Sequence, residues 1–170
     1  ADVVAPHSPT QQFRTHLQVP PVWEARGSWQ FILGTDATGR DILSRIIHGA
    51  RYSLGIGFLV VTFALVFGVT LGLLAGYLRG IVDVIVMRLV DIMLSMPALL
   101  LAIVIVAILG KSLLNTVIAV SIVVLPHYIR LTRAAVLSER TRDYVTAARL
   151  AGARGPRLMI NTILPNCLAP

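Results

Sequence analysis

SLGIGFLVVTFALVFGVTLGLLAGY, Ser53–Tyr77, runs for 25 residues without an Asp, Glu, Lys or Arg. As a helix it crosses about 30 Å of hydrocarbon with some tilt. Inside it Ala64, Gly68, Gly72 and Gly76 recur at every fourth position, so they share one face. A stripe of small residues lets a second helix backbone approach closely, which predicts tight helix packing on that side.

Composition agrees with a chain made of such segments. Hydrophobic residues are 56% of the 170 and charged residues only 14%, with a mean hydropathy of +0.79. Soluble domains carry nearly twice that share of charge. The expected fold is all-α, a polytopic membrane helix bundle. The apolar runs are too many, and too far along the chain, to be a signal peptide. The chain opens on Ala1 and stops at Pro170 within a fresh apolar run, as expected of a piece of a longer protein.

Upstream of the first span, residues 1–33 are polar and turn-rich, with Pro6, Pro9, Pro20 and Pro21, and read as an irregular loop outside the bilayer. Residues 34–52, GTDATGRDILSRIIHGARY, predict an amphipathic interfacial helix capped by Thr38 or Asp36. Ile42, Leu43, Ile46 and Ile47 would form its apolar face, with Arg40, Asp41, Arg45 and Arg51 elsewhere.

Downstream, Arg79–Asp91 forms a charged corner in which Arg79–Asp83 and Arg88–Asp91 have helical pairing distance. Ile92–Leu109 predicts a second span kinked at Pro97, and Leu113–Ile129 a third, with Pro126 and His127 near its exit. Leu158–Pro170 begins a fourth, interrupted by Pro165.

Between Arg130 and Arg157 stand seven Arg against Glu139 and Asp143. So strong a positive cluster beside a span places that segment in the cytoplasm. Counting back, Gly110–Ser112 faces outward, Arg79–Asp91 inward and residues 1–52 outward. The outer five Arg, nearly balanced by four acids, fit that orientation.

Several chemistries are excluded or unsupported. A net charge of +7 raises nucleic acid as a partner, but the Arg residues sit beside apolar spans, as orientation signals do. Cys167 is the single cysteine, so no intrachain disulfide and no multi-Cys metal site can form. Gly110-Lys111-Ser112 imitates the end of a phosphate-binding loop, yet the glycine required five positions earlier is Ile105. No catalytic triad, metal site or cofactor site emerges.

Asp143–Pro165, DYVTAARLAGARGPRLMINTILP, is the segment with most to say about function. Thr141 or Asp143 starts a short polar helix and Gly152 ends it. Tyr144, Ala147, Ala148 and Ala151 fall on one face; Arg142, Thr146 and Arg149 fall on the other. These facts leave two readings open, a plain cytoplasmic connector and an element that seats in a protein groove.

Ala147-Ala148, three residues, Gly152, nine residues, then a position before Ile163 and Leu164-Pro165 resemble the EAA-type loop of ABC importer permeases. Thr146 stands where that pattern has Glu, and Thr162 where it has Ile. LGTDATGRDILSRIIHGARYSL (33–54), GLLAGYLRGIVDVIVMRLVDIMLSMPALLLA (72–102), LPHYIRLTRAAVL (125–137) and RDYVTAARLAGA (142–153) are similar to C-class permeases of the dipeptide, oligopeptide and nickel family.

The resemblance implies an ABC type-1 transmembrane domain over residues 53–170, with a cytoplasmic coupling loop at about 130–157. It implies a non-enzymatic permease subunit of a dipeptide importer in the bacterial inner membrane; importers of oligopeptides, nickel chelates or haem share most of these segments. A B-class permease, two ATP-binding subunits, an extracytoplasmic peptide-binding protein and membrane lipid would be the partners. Tyr144, Thr146, Ala147, Ala148, Arg149 and Gly152 would couple to the ATPase. The other class is a passive channel or secondary transporter, but such proteins place ionisable groups in mid-membrane.

Overall fold

Hydrophobic length and proline placement set the order of elements in a computed structural model that describes residues 4–167. Among these residues there are helices and no strands, only two isolated bridges at Ser28–Phe31 and Thr35–Asp41. The helices are α1 (Ile42–Leu78), α2 (Gly80–Leu94), α3 (Ala98–Leu109), α4 (Leu113–Glu139), α5 (Asp143–Leu150) and α6 (Gly155–Leu158). A π-helical turn (Met159–Ile163) and α7 (Leu164–Cys167) follow. The chain divides into two compact units, Ala1–Phe58 and Leu59–Pro170.

In the first unit, irregular chain gathers around Phe31, which is fully buried. The rings of Phe13, His7 and His16 lie 5.0, 5.4 and 5.4 Å from it. The Thr35 hydroxyl donates to the His16 carbonyl at 2.5 Å and accepts from the Val19 N–H at 2.9 Å, so a buried polar group is satisfied.

Asp41, rather than Thr38 or Asp36, caps α1. Its carboxylate accepts the Ser44 N–H at 3.1 Å and the Ser44 hydroxyl at 2.5 Å. Asp36 instead closes the preceding turn, taking the N–H groups of Thr38 and Arg40 at 2.9 and 3.0 Å. Both residues fit the cap pattern, and the turn at Gly39, with φ +74°, hands the helix start to the later one. The interfacial helix and first span expected separately are one helix, because nothing between Ile42 and Leu78 interrupts it.

α1 and α4 are each long and apolar enough to cross a membrane; α2 and α3 qualify only as a pair bent by 97°. The span expected over Ile92–Leu109, kinked at Pro97, is interrupted at residues 95–97, and it counts as a crossing only where the bent pair is taken together. Pro97 has no N–H to continue the helix, and its ring drives Met96 away from helical geometry. The break is sealed locally: the Ser95 hydroxyl donates to the Ile92 carbonyl at 2.7 Å. At the next corner Ser112 caps α4, and the Asn115 amide donates to the carbonyls of Leu109 and Gly110 at 2.7 and 3.0 Å.

The ion pairs also differ from expectation. Arg133 grips Asp83 through Nε and Nη2 at 2.5 and 2.6 Å, and Arg130 reaches Asp91 at 2.6 Å. These link α4 to α2 across space, where the nearest arginines in sequence, Arg79 and Arg88, had been expected. A planar guanidinium facing a carboxylate across two helices makes two bonds at once. Ala75, Val86, Val90 and Ile129 form the apolar core beside them.

Candidate functional site

Ala64 is fully buried, and Gly68, Gly72 and Gly76 lie against Tyr128–Val136 of α4. A Cβ on Gly72 would stand 2.7 Å from the Ile129 carbonyl oxygen and from Thr132 Cβ; one on Gly76 would stand 2.9 Å from Val136 Cβ. Only hydrogen fits there, so α4 lies directly on this side of α1.

α4 runs on past Ile129 to Glu139 and ends in a cluster of polar bonds. The Arg140 guanidinium donates to the carbonyls of Gly76 and Tyr77 at 3.2 and 3.3 Å. A cation here satisfies acceptors that the C-terminus of α1 leaves open. Burial, with the like charges of Arg79 and Arg149 nearby, pushes its pKa below the usual arginine value.

α5 follows after a short turn. Glu139 accepts the Tyr144 hydroxyl at 2.6 Å and lies 3.6 Å from Arg142. Burial and that hydrogen bond push the Tyr144 hydroxyl up to about 12. A raised value keeps the contact present below pH ~10 and releases it only as the pH climbs toward the raised value.

One side of α5 is rooted in the second unit. Val145 is fully buried and joins Leu73 of α1, Val136 of α4 and Leu158, Met159 and Ile163 in one apolar cluster. Ala148, half-buried, packs against the same cluster. Tyr144, Thr146, Ala147, Arg149 and Ala151 are exposed, as is Leu150 at 86%. The four-residue face read from the sequence is thus divided: Ala148 turns inward, while Tyr144, Ala147 and Ala151 turn out.

The residue missed was Val145. Its signal was available, since Val145 and Leu150 are the only aliphatic side chains larger than alanine in α5, and Val145 is the one nearer the helix start.

Gly152 ends the helix with φ +91° and nothing within 4 Å of where its Cβ would be. A side chain there has room, and its cost is backbone strain of about 1–3 kcal/mol. Beyond the turn, Pro156 starts α6 and a π-helical turn precedes Pro165. An extra residue in a turn re-registers the chain where a proline has no N–H to offer. A cavity of about 380 Å³ opens between α5 and this segment, lined by Ala148, Ala151, Gly152, Arg157 and Asn161 among others.

Among the described residues no group of three or more His, Cys, Asp or Glu could hold a metal ion.

Residues 68–170 match the family described as binding-protein-dependent transport system inner membrane component. The chain is 59% identical over 167 residues to the di/tripeptide transport system permease protein of Pseudomonas aeruginosa, covering 98% of this chain and 55% of that protein. It is 53% identical over 170 residues to the dipeptide transport system permease protein of Haemophilus influenzae, covering all of this chain and 58% of the relative. Identity to the dipeptide transport system permease protein of Escherichia coli is 58% over 170 residues, covering all of this chain and 57% of the relative. The chain therefore spans little more than half the length of these relatives.

Proposed function

Given that the chain belongs to the family of inner membrane components of binding-protein-dependent transport systems, we propose that it is part of the permease subunit of an ATP-driven dipeptide importer. It lies in the bacterial inner membrane as a multi-pass protein. Its partners are a second permease subunit, two ATP-binding subunits and an extracytoplasmic peptide-binding protein. ATP hydrolysis belongs to the ATP-binding subunits. The dipeptide substrate is supported by the names of the relatives, above all those 53–59% identical.

One observation carries the mechanism: α5 is rooted by Val145 in the cluster that also holds Leu73 of α1 and Val136 of α4, while its other side is exposed. Side chains packed against one another in an apolar cluster move together, so a displacement of one is passed to its neighbours. A force on the exposed side of α5 is thereby delivered to two membrane helices together. Closure of the ATP-binding subunits would press on α5, and α1 and α4 would move with it. Moving a two-state permease from 1:99 to 99:1 takes about 5.5 kcal/mol of differential binding.

The test is affinity purification of the full-length permease from solubilised membranes, followed by reconstitution. ATP-binding subunits should copurify, and vesicles should accumulate labelled dipeptide only with ATP and binding protein present. Dipeptide uptake that persists without ATP would overturn the reading in favour of a passive or secondary carrier.

A further inference from the structure

The segment after α4 carries positive charge that its own acids do not balance. Glu139 is occupied by Tyr144 and Arg142. Asp143 sits in the first turn of α5, where the helix N-terminus already favours a carboxylate. Arg149, Arg154 and Arg157 are exposed and hold no ion pair within the described residues. Arg149 also lies close enough to Arg140 to act on it as a like charge, so the chain leaves positive charges crowded here.

This charge borders a concavity. Arg157 and Asn161 supply donors to the cavity of about 380 Å³, and Ala148, Ala151 and Gly152 keep its wall small. An arginine beside a recess with small walls suits a carboxylate on a short side chain, received end-on with two bonds.

We propose that the surface carrying Arg149, Arg154 and Arg157 receives an acidic patch of the ATP-binding subunit, with one Asp or Glu side chain entering the cavity beside Arg157. The proposal rests on the reading of α5 as the element that meets that subunit, and adds the chemistry of the contact. Anionic lipid headgroups are the competing occupant. The observations favour protein. A helix lying in a bilayer surface needs an apolar face, and α5 turns Val145 inward, leaving Leu150 as its one large exposed aliphatic side chain. A flat headgroup layer would also leave the recess unfilled.

The experiment uses the full permease pair in nanodiscs, with binding of purified ATP-binding subunits measured against salt. Wild-type affinity should fall as salt rises. Arg149→Glu with Arg157→Glu should weaken binding at least about tenfold at low salt and flatten the salt dependence. The lysine replacements should retain most of the affinity. An unchanged thermal melting profile would show that the reversed-charge permease is folded.

Equal affinity and equal salt slope in wild type and the double variant would overturn the proposal. So would a defect seen only in nanodiscs containing phosphatidylglycerol and absent in pure phosphatidylcholine, which would assign the arginines to lipid. If the wild-type permease bound no ATP-binding subunit at any salt, the reading of α5 itself would fall.

Discussion

Asp36 and Asp41 divide two tasks that the sequence presents as one. Each is an acid shortly before an apolar helical pattern, and each matches a helix cap. Their separation was not legible, because it depends on Asp36 being drawn into a turn by partners on both sides. The Arg40 N–H lowers its pKa most, followed by the Thr38 hydroxyl, and together these hold the carboxyl well below the usual range. Arg40 Nε at 2.9 Å and the Arg45 guanidinium complete the group. A lowered folded pKa means the turn has its full strength above about pH 4, the unfolded carboxylate value. That strength is lost as the pH falls toward the lower folded value. In wild type, amide hydrogen exchange at Thr38 and Arg40, corrected for intrinsic rate, should stay slow at pH 5 and quicken below pH 4. Asp36→Asn should show fast exchange already at pH 7 and little further change on acidification. Matching profiles for the two proteins would remove Asp36 from this role.

At the level of helices, periodicity revealed which face of α1 is tight but could not say what lies against it. The recurrence of small residues from Ala64 to Gly76 is a local property and can be counted. The partner, Tyr128–Val136 of α4, lies more than fifty residues away, and Arg133 lies 50 residues from the Asp83 it pairs with. Likewise Pro97 announces an interruption. The 97° turn that results depends on α3 folding back along α4 and on Asn115 closing the corner. Glycines on the same helix should then respond with opposite sign. Gly72→Ala forces a methyl to within 2.7 Å of the Ile129 carbonyl and should cost about 1–3 kcal/mol. Gly57→Ala, with nothing within 4 Å, gains helix propensity of about 0.5–1 kcal/mol. Thermal unfolding of the purified full-length permease in detergent should lower the midpoint for the first and leave or raise it for the second. Equal shifts would mean that the small residues are not what brings α1 and α4 together.

For the whole molecule, α5 keeps a buried side and an exposed side apart on one short helix, and in the proposed mechanism the exposed side receives the force. An eight-residue helix is not stable in isolation, so its orientation comes from Val145 and Ala148 seated in the apolar cluster. The alternation of alanines gave no way to tell which of them would be seated, because Ala147, Ala148 and Ala151 are chemically identical. Their surroundings now distinguish them. Ala148→Arg drives a long cation against the apolar cluster on which Ala148 packs and should destabilise the permease by several kcal/mol. Loss of transport in that variant would report damage to the fold as much as to coupling. Ala151→Arg places the same side chain on the exposed rim and should change stability by no more than about 0.5 kcal/mol. If force enters through that rim, Ala151→Arg should keep a normal melting temperature and a populated complex, yet consume more ATP per dipeptide imported. Both quantities can be measured on the same proteoliposomes, with uptake and phosphate release followed in parallel. Wild-type stoichiometry in Ala151→Arg would place the transmitting contact elsewhere, whatever Ala148→Arg does to folding.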